Sequence, residues 1–321
     1  VNKNKVKIFR IPVHSKNPVI MLVNIFLLSL IVLIYNIDIV HARSRAPAWS
    51  CLVVCFLTRR KFVTTFHGTY NFSSYLKKFY NSVMIRSNLI IAGSNFIFAH
   101  INENYSKFLN SKNKLMVIFR GINLDYFSKK NISIGKKNKL SAEWAINPEK
   151  ITILLPGRLT AWKGQEMFIE SVNILKEDFN KSNFQVIILG SDQGRNVYTK
   201  KLHNLVQRYQ LNNQIKFISH CKDMPNAYDL ANIVVSSSIE PEAFGRVAVE
   251  AQAMEKPIIA SDLGGSKETI VNRKSGILFK SGDPRELAKE INNLMELDKE
   301  ALYSIGNEGR KNVAKKFDVE K

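Results

Sequence analysis

Cysteine is nearly absent: 321 residues hold three, Cys51, Cys55 and Cys221. That excludes a disulfide framework. Cys51 and Cys55 at C-x3-C spacing also lack the further ligands a zinc site wants. All three are expected as small buried apolar residues. Carboxylates are scarce in the first half, where residues 1–150 carry 23 Lys+Arg against 5 Asp+Glu. Residues 151–321 carry 24 against 22, so the net charge of +20 sits almost wholly in one half. Between Asp38 and Glu103 there is no carboxylate at all. A basic face of this kind suits an anionic partner. No nucleic-acid-binding motif accompanies it, so nucleic acid is not the expected one. A G-x-G-x-x-G dinucleotide fingerprint is also missing.

The hydrophobic fraction of 45% is that of a folded chain, and the length allows two domains. One apolar run stands out: no charge falls from Asn17 to Ile37. Asn24 and Ser29 interrupt it, Pro18 suits a first helical turn, and it leads straight into the strand-like IDIV. It is read as a buried or membrane-surface helix, with a transmembrane helix as the alternative. No A-x-A-like cleavage site follows, so it is no plain signal peptide.

Apolar runs then alternate with helix-length segments. IDIV (37–40), FVTTF (62–66), LIIAG (89–93) and LMVIF (115–119) read as strands, with helices over 48–61 and 73–86 between them. The polar stretch after Phe127 reads as a linker, 128–149. A second series follows: ITILLPG, FQVIILG, IKFIS, ANIVVSSS, PIIAS and GILF as strands, with helices between and a last one capped by Asp283 and Pro284. Strand–helix alternation means α/β architecture with parallel sheets. The expected domains are 1–127 and 150–321, two doubly wound Rossmann-like units whose ligands bind beyond the carboxyl ends of the strands.

At those ends in the second series the chemistry collects. GRLTAWKG brings the cations Arg158 and Lys163, suited to phosphate oxygens. GSDQG brings Gly190 and Gly194. EPEAFGRVAVE brings Glu242 and Glu250 around a helix start, where Ala243, Phe244, Gly245 and Arg246 are expected to offer unpaired backbone amides to an anion. Carboxylates repel phosphate but accept from sugar hydroxyls. Treated as one helix, the two glutamates stand about 12 Å apart along the axis. Cations and amides for a diphosphate, flanked by carboxylates for hydroxyls, describe a nucleotide-sugar site that needs no metal.

Residues 150–297 resemble the carboxyl-terminal domain of the family 4 retaining glycosyltransferases, which have the GT-B fold of two facing Rossmann-like domains. The resemblance runs through PGRLTAWKG, VIILG, DLANIVVSSSIEPEAFGRVAVEAQAMEKPIIASDLGGSKETI and GILFKSGDPRELA. It implies that Arg158 and Lys163 hold the donor diphosphate, that backbone around Phe244 and Gly245 cradles it, that Glu242 contacts the transferred sugar and Glu250 the ribose, and that no metal or other cofactor takes part. In the first half, FVTTFHGTYN resembles the family segment whose histidine, here His67, faces the reaction centre. VIFRGINLDYF resembles the segment leading to the interdomain linker. HARSRAPAW resembles bacterial members acting on envelope glycans, with Arg43 and Arg45 expected on the acceptor side.

What the resemblance implies is transfer from a nucleotide-sugar, UDP- or GDP-linked, to an anionic envelope glycan or lipid-linked acceptor. The expected place is the cytoplasm, at the inner face of the membrane. The sequence departs from the pattern in three ways. The family's first strand, glycine-rich loop, helix and second strand have no counterpart, the chain opening near an expected third strand, VKIFRIPVHS. No final helix returning to the first domain is seen after KKFDVEK. Glu255 stands where the family often has glycine, at a left-handed position costing about 1 kcal/mol. A chain cut short at both ends is therefore expected, with an inactive, nucleotide-sugar-binding fragment as the alternative function.

Overall fold

The short β-branched runs become parallel strands because each is followed by a helix that carries the chain back. The computed structural model describes residues 6–70, 72–109 and 113–320. It divides into two compact units, Val1–Phe119 and Arg120–Lys321.

Unit 1 contains α1 (Pro18–Ile34), β1 (Ile39–Ala42), α2 (Arg45–Thr58), β2 (Lys61–Phe66), α3 (Tyr75–Asn81), β3 (Leu89–Ala92), α4 (Asn95–Tyr105) and β4 (Lys114–Val117). The sheet runs β1-β2-β3-β4, parallel throughout. Helix α1 begins as its residues dictate: Asn17 Oδ1 accepts the Val19 amide at 2.9 Å and Pro18 fills the first position. It packs on α2. No helix among the described residues is long and apolar enough to cross a membrane. The strand expected at VKIFRIPVHS does not form; residues 6–17 are irregular. Pro12 has no amide to give, and among the described residues β1 pairs only with β2.

Unit 2 contains α5 (Ile134–Glu143), β5 (Ile151–Pro156), α6 (Gln165–Glu177), β6 (Phe184–Leu189), α7 (Asn196–Arg208), β7 (Ile215–Ile218), α8 (Met224–Leu230), β8 (Ile233–Ser236), α9 (Arg246–Ala253), β9 (Ile258–Ser261), α10 (Ser266–Thr269), β10 (Ile277–Phe279), α11 (Pro284–Met295) and α12 (Lys299–Lys316). Its parallel sheet is ordered β10-β9-β8-β5-β6-β7. Side chains alternate between two buried layers: Ile153, Leu155, Val186 and Ile188 face one, Leu154, Ile187 and Leu189 the other. A sheet covered on both faces explains why these strands read as unbroken apolar runs.

Two expectations are corrected here. Residues 128–149 are not a linker. They form α5, packed on α8, with Trp144 buried in the core of unit 2. Lysine-rich α5 escaped notice because it buries no side chain fully and shows little apolar periodicity. The division falls earlier, at Phe119, because residues 120–127 are held to unit 2: the Ile122 amide donates to Phe317 O at 2.7 Å and Arg310 donates to the Leu124 carbonyl at 3.2 Å. The second correction is α12, which the strand–helix alternation did not reveal. It lies on α9, where Gly306 passes so close to Glu255 that a Cβ would stand 2.2 Å from its carbonyl oxygen. Glu255 has the left-handed φ expected of it, 54°.

Candidate active site at the switch point of the second sheet

From β5 the chain of unit 2 winds to one edge through β6 and β7, then returns to β8, which pairs with the other side of β5. The loops leaving β5 and β8 therefore diverge at a topological switch point, the place where such sheets bind ligands. Those loops carry Arg158 and Lys163, and Glu242, Phe244 and Gly245.

The two loops are sewn together. Ser237 Oγ donates to Lys163 O at 3.0 Å, and the Ile239 amide donates to Trp162 O at 2.9 Å. Gly164, at φ 71°, lets them meet: a Cβ there would stand 2.0 Å from Ser237 O. Across this seam Lys163 Nζ reaches Glu242 Oε1 at 2.8 Å, with side chains only 14% and 10% exposed. The ammonium also lies 4.4 Å from the Trp162 ring centroid. Glu242 Oε1 further accepts from Ser238 Oγ at 2.5 Å and Ser236 Oγ at 3.5 Å. The loop after β9 holds this strand from the other side, with the Gly265 amide donating to Glu242 O at 2.7 Å. Arg158 is exposed at the start of the β5 loop, its carbonyl accepting from Gln165 Nε2 at 2.8 Å.

The helix start differs from expectation. Helix α9 opens at Arg246, with Gly245 as its left-handed N-cap (φ 81°, ψ 53°), so Ala243 and Phe244 precede it. Glu242 is thus outside the helix, and the 12 Å helical spacing does not apply. The helix start stays open despite this shift. Gly245 supplies no capping side chain. Among the described residues, the amides of Phe244, Gly245, Arg246 and Val247 find no acceptor. The Phe244 ring is buried, edge-on to Phe317 at 5.3 Å, so only its backbone faces outward chemistry.

Glu250 stands one helical turn further on, 13% exposed. Its Oε1 accepts from Arg246 at 2.9 Å and its Oε2 from Tyr228 Oη at 2.9 Å. Tyr228 is fully buried, and burial together with the adjacent carboxylate pushes its phenol well above the usual range. The two glutamates thus have separate partners.

Gly190, expected at the donor, also meets a steric demand that the sequence did not show. A Cβ there would stand 1.8 Å from Gly157 O, so glycine is required for the ends of β5 and β6 to pass. Gly194 is the left-handed residue of the following turn, at φ 81°. Cys51 and Cys55 are buried, their thiols pushed up to about 12 and about 11 by burial. Cys221 is only half-buried, against expectation, its Sγ donating to Asp223 O at 3.4 Å.

In unit 1 the expected residues also gather at strand ends. Arg43, after β1, donates through Nε to His67 Nε2, after β2, at 3.0 Å. Arg45 opens α2; it donates to Asn81 Oδ1 at 2.8 Å and stacks on Tyr70 at 4.7 Å. Its guanidinium is thus already engaged by protein. Sequence reasoning missed Ser236, Ser238, Tyr228 and the Arg246 side chain. The serine run closing β8 and the i,i+4 spacing of Arg246 and Glu250 were the available signals. Nothing in the sequence pointed to Tyr228.

A family model described as "Glycosyl transferases group 1" matches residues 136–312, and one described as "Glycosyltransferase Family 4" matches residues 3–126. A glycosyltransferase structure from Rickettsia africae ESF-5 is similar at 35% identity and TM-score 0.86, over 98% of this chain and 81% of that one. Anabaena Alr3699/HepE, solved with UDP and glucose, shares the fold at 23% identity and TM-score 0.82, over 94% of this chain and 78% of its own. The capsular polysaccharide biosynthesis glycosyltransferase CapM of Staphylococcus aureus is 28% identical over 65% of this chain. The chain spans about half of that relative's length, 53%. The two Rossmann-like units are those of the GT-B fold. Together these matches and the site at the switch point show that the chain belongs to glycosyltransferase family 4.

Proposed function

We propose that the chain moves a sugar from a nucleotide diphosphate-sugar to a cell-envelope glycan or lipid-linked acceptor, with retention of anomeric configuration. The observation that carries this is the Lys163–Glu242 pair beside a helix start whose amides have no acceptor. Without donor, each member of the pair neutralises the other. An arriving diphosphate competes for Lys163 and takes the amides of Phe244, Gly245 and Arg246, with exposed Arg158 as second cation. Glu242 is then released to accept from hydroxyls of the sugar. Glu250, oriented by Tyr228 and Arg246, reads the ribose. His67, in unit 1, is assigned a catalytic role, with its Nε2 accepting from Arg43 Nε.

In the transition state the glycosidic bond breaks and negative charge grows on the leaving diphosphate. Preorganised cations and amides stabilise that charge more than the ground state, which is what accelerates the step. The acceptor hydroxyl attacks from the face the diphosphate leaves and gives its proton to the departing phosphate oxygen, which gives retention. These groups balance the diphosphate charge without a metal in the scheme. The UDP and glucose bound by HepE support a nucleotide-sugar donor. The capsular role in the name of CapM supports an envelope acceptor. This reading puts the reaction in the cytoplasm.

The test is Lys163→Ala assayed with UDP- and GDP-hexoses. We expect transfer to fall about 100-fold or more, the usual loss for one preorganised donor. Unchanged turnover would remove the phosphate assignment. Product of inverted configuration, read by proton NMR, would remove retention.

A further inference from the structure

Both glutamates of the donor site are covered by a cation in the free protein. Lys163 covers Glu242. The cover on Glu250 is Arg246, one turn before it on α9. Arg246 gives two N–H groups to a single oxygen, its Nε and Nη2 standing 3.0 and 2.9 Å from Glu250 Oε1. The other oxygen, Oε2, accepts from Tyr228 Oη at 2.9 Å. A carboxylate has about four acceptor positions, two on each oxygen. Arg246 fills both on Oε1 and Tyr228 fills one on Oε2. One position is left, and the two neighbouring hydroxyls of a ribose need two. For Glu250 to read a ribose, one of its present partners has to leave.

The two partners differ in their freedom to do so. Tyr228 is fully buried, and burial holds its phenol well above the usual range, so it keeps both its proton and its bond. The Arg246 side chain is 67% exposed, so it can swing away by side-chain rotation alone. Where it goes is set by where it is rooted. Arg246 is the first residue of α9, directly after the left-handed cap Gly245, which brings no capping side chain. The amides of Phe244, Gly245, Arg246 and Val247 find no acceptor among the described residues. A diphosphate seated on those amides lies within reach of a guanidinium carried by the same residue. The planar fork of arginine grips two phosphate oxygens at once, which an ammonium does not.

We propose that Arg246 is a swinging cation of the donor site: it covers Glu250 in the free protein, and on donor binding it passes from Glu250 to the diphosphate, opening Glu250 Oε1 to the ribose hydroxyls. The inference rests on the donor assignment made above and couples the two halves of that ligand. Phosphate at the α9 start draws the guanidinium off, and the ribose carboxylate is uncovered as a result. A nucleoside without phosphate has to displace the guanidinium unaided. The site therefore favours nucleotide diphosphates over nucleosides by more than the phosphate contacts alone supply.

The experiment offers the full chain the two halves of a donor separately. Inorganic pyrophosphate is one half, titrated by calorimetry. Uridine and guanosine are the other, titrated by NMR, with UDP and GDP as the joined ligands. The native chain is compared with Arg246→Leu and Arg246→Lys. Arg246→Leu should weaken pyrophosphate about tenfold or more, the loss of a hydrogen-bonded charge. The same variant should tighten the nucleoside about two- to fivefold, since an exposed ion pair no longer competes for Glu250. Arg246→Lys should bring both affinities back toward the native values. The inference is overturned if both halves weaken together, which is what a merely structural hold on Glu250 gives, or if only one of them changes. A native chain that binds neither UDP nor GDP overturns the donor assignment and this inference with it. A native chain that binds one of them, with pyrophosphate and nucleoside unaltered in Arg246→Leu, overturns this inference alone.

Discussion

Replacing Glu242 by glutamine should move nucleotide binding and sugar transfer in opposite directions. In the free protein the Lys163 ammonium sits 2.8 Å from Glu242 Oε1, both side chains mostly withdrawn from water. At an effective dielectric of about 20 the gross attraction is about 6 kcal/mol. A diphosphate must displace this attraction to use Lys163, and it recovers most of it as new pairing. The net handicap is therefore a fraction of the gross figure, about 1–2 kcal/mol. Glutamine keeps the shape and still accepts from Ser238, so the β8 loop stays in place. Removing the competitor should tighten UDP or GDP binding about 5- to 30-fold, measured calorimetrically at fixed salt. The same change removes the carboxylate for the sugar, so transfer should fall by about 100-fold despite tighter nucleotide binding. Equal or weaker affinity for the diphosphate in Glu242→Gln would refute competition at Lys163. Full transfer activity would refute the sugar contact.

Tyr228→Phe removes a hydrogen bond to a carboxylate from a fully buried phenol. It should raise the donor KM several-fold with little change in kcat, and cost about 1–3 kcal/mol in denaturant unfolding. Gly306→Ala puts a Cβ against the Glu255 carbonyl and should destabilise unit 2 by about 3 kcal/mol, seen as a lower thermal midpoint. Glu255→Gly relieves a left-handed φ of 54° but removes a 2.8 Å pair with Lys129, so its net effect should stay within about 1 kcal/mol of zero. Burial lowers Lys256 to about 8, partly offset by Asp229. The unfolded chain holds that proton more tightly, so stability from this group rises as pH climbs from about 8 to about 10.5. The stability difference between the native chain and Lys256→Met, taken from urea curves at pH 7.5 and 10, should shift by up to about 3 kcal/mol in that direction.

That Arg158, Lys163, Glu242 and Gly245 would gather at one sheet edge was legible because each follows a recognisable strand. Where the reading failed, the missing information was a neighbour. At Gly190 the sequence could not show that Gly157 lies against it and demands a glycine. Helix α5 resembled a linker because its lysines hide a helix that packs without burying any one side chain fully. The α9 start was placed two to three residues early, since Gly245 is a left-handed N-cap packed against Ser266 and Thr269, which are distant in sequence.

The sequence by itself determined the strand–helix alternation, hence parallel sheets, and which residue types stand at the strand ends. It also determined the charge asymmetry and the uncharged stripe that becomes α1. Tertiary structure alone decided that Lys163 meets Glu242 across a separation of 79 residues. It also decided that Tyr228 rather than a neighbour in sequence steadies Glu250, and that Arg45 is spent on Asn81 and Tyr70. The physical reason is range. Propensity and periodicity act over one turn or one strand, whereas a buried ion pair exists only once the sheet order has brought two distant loops to the same switch point.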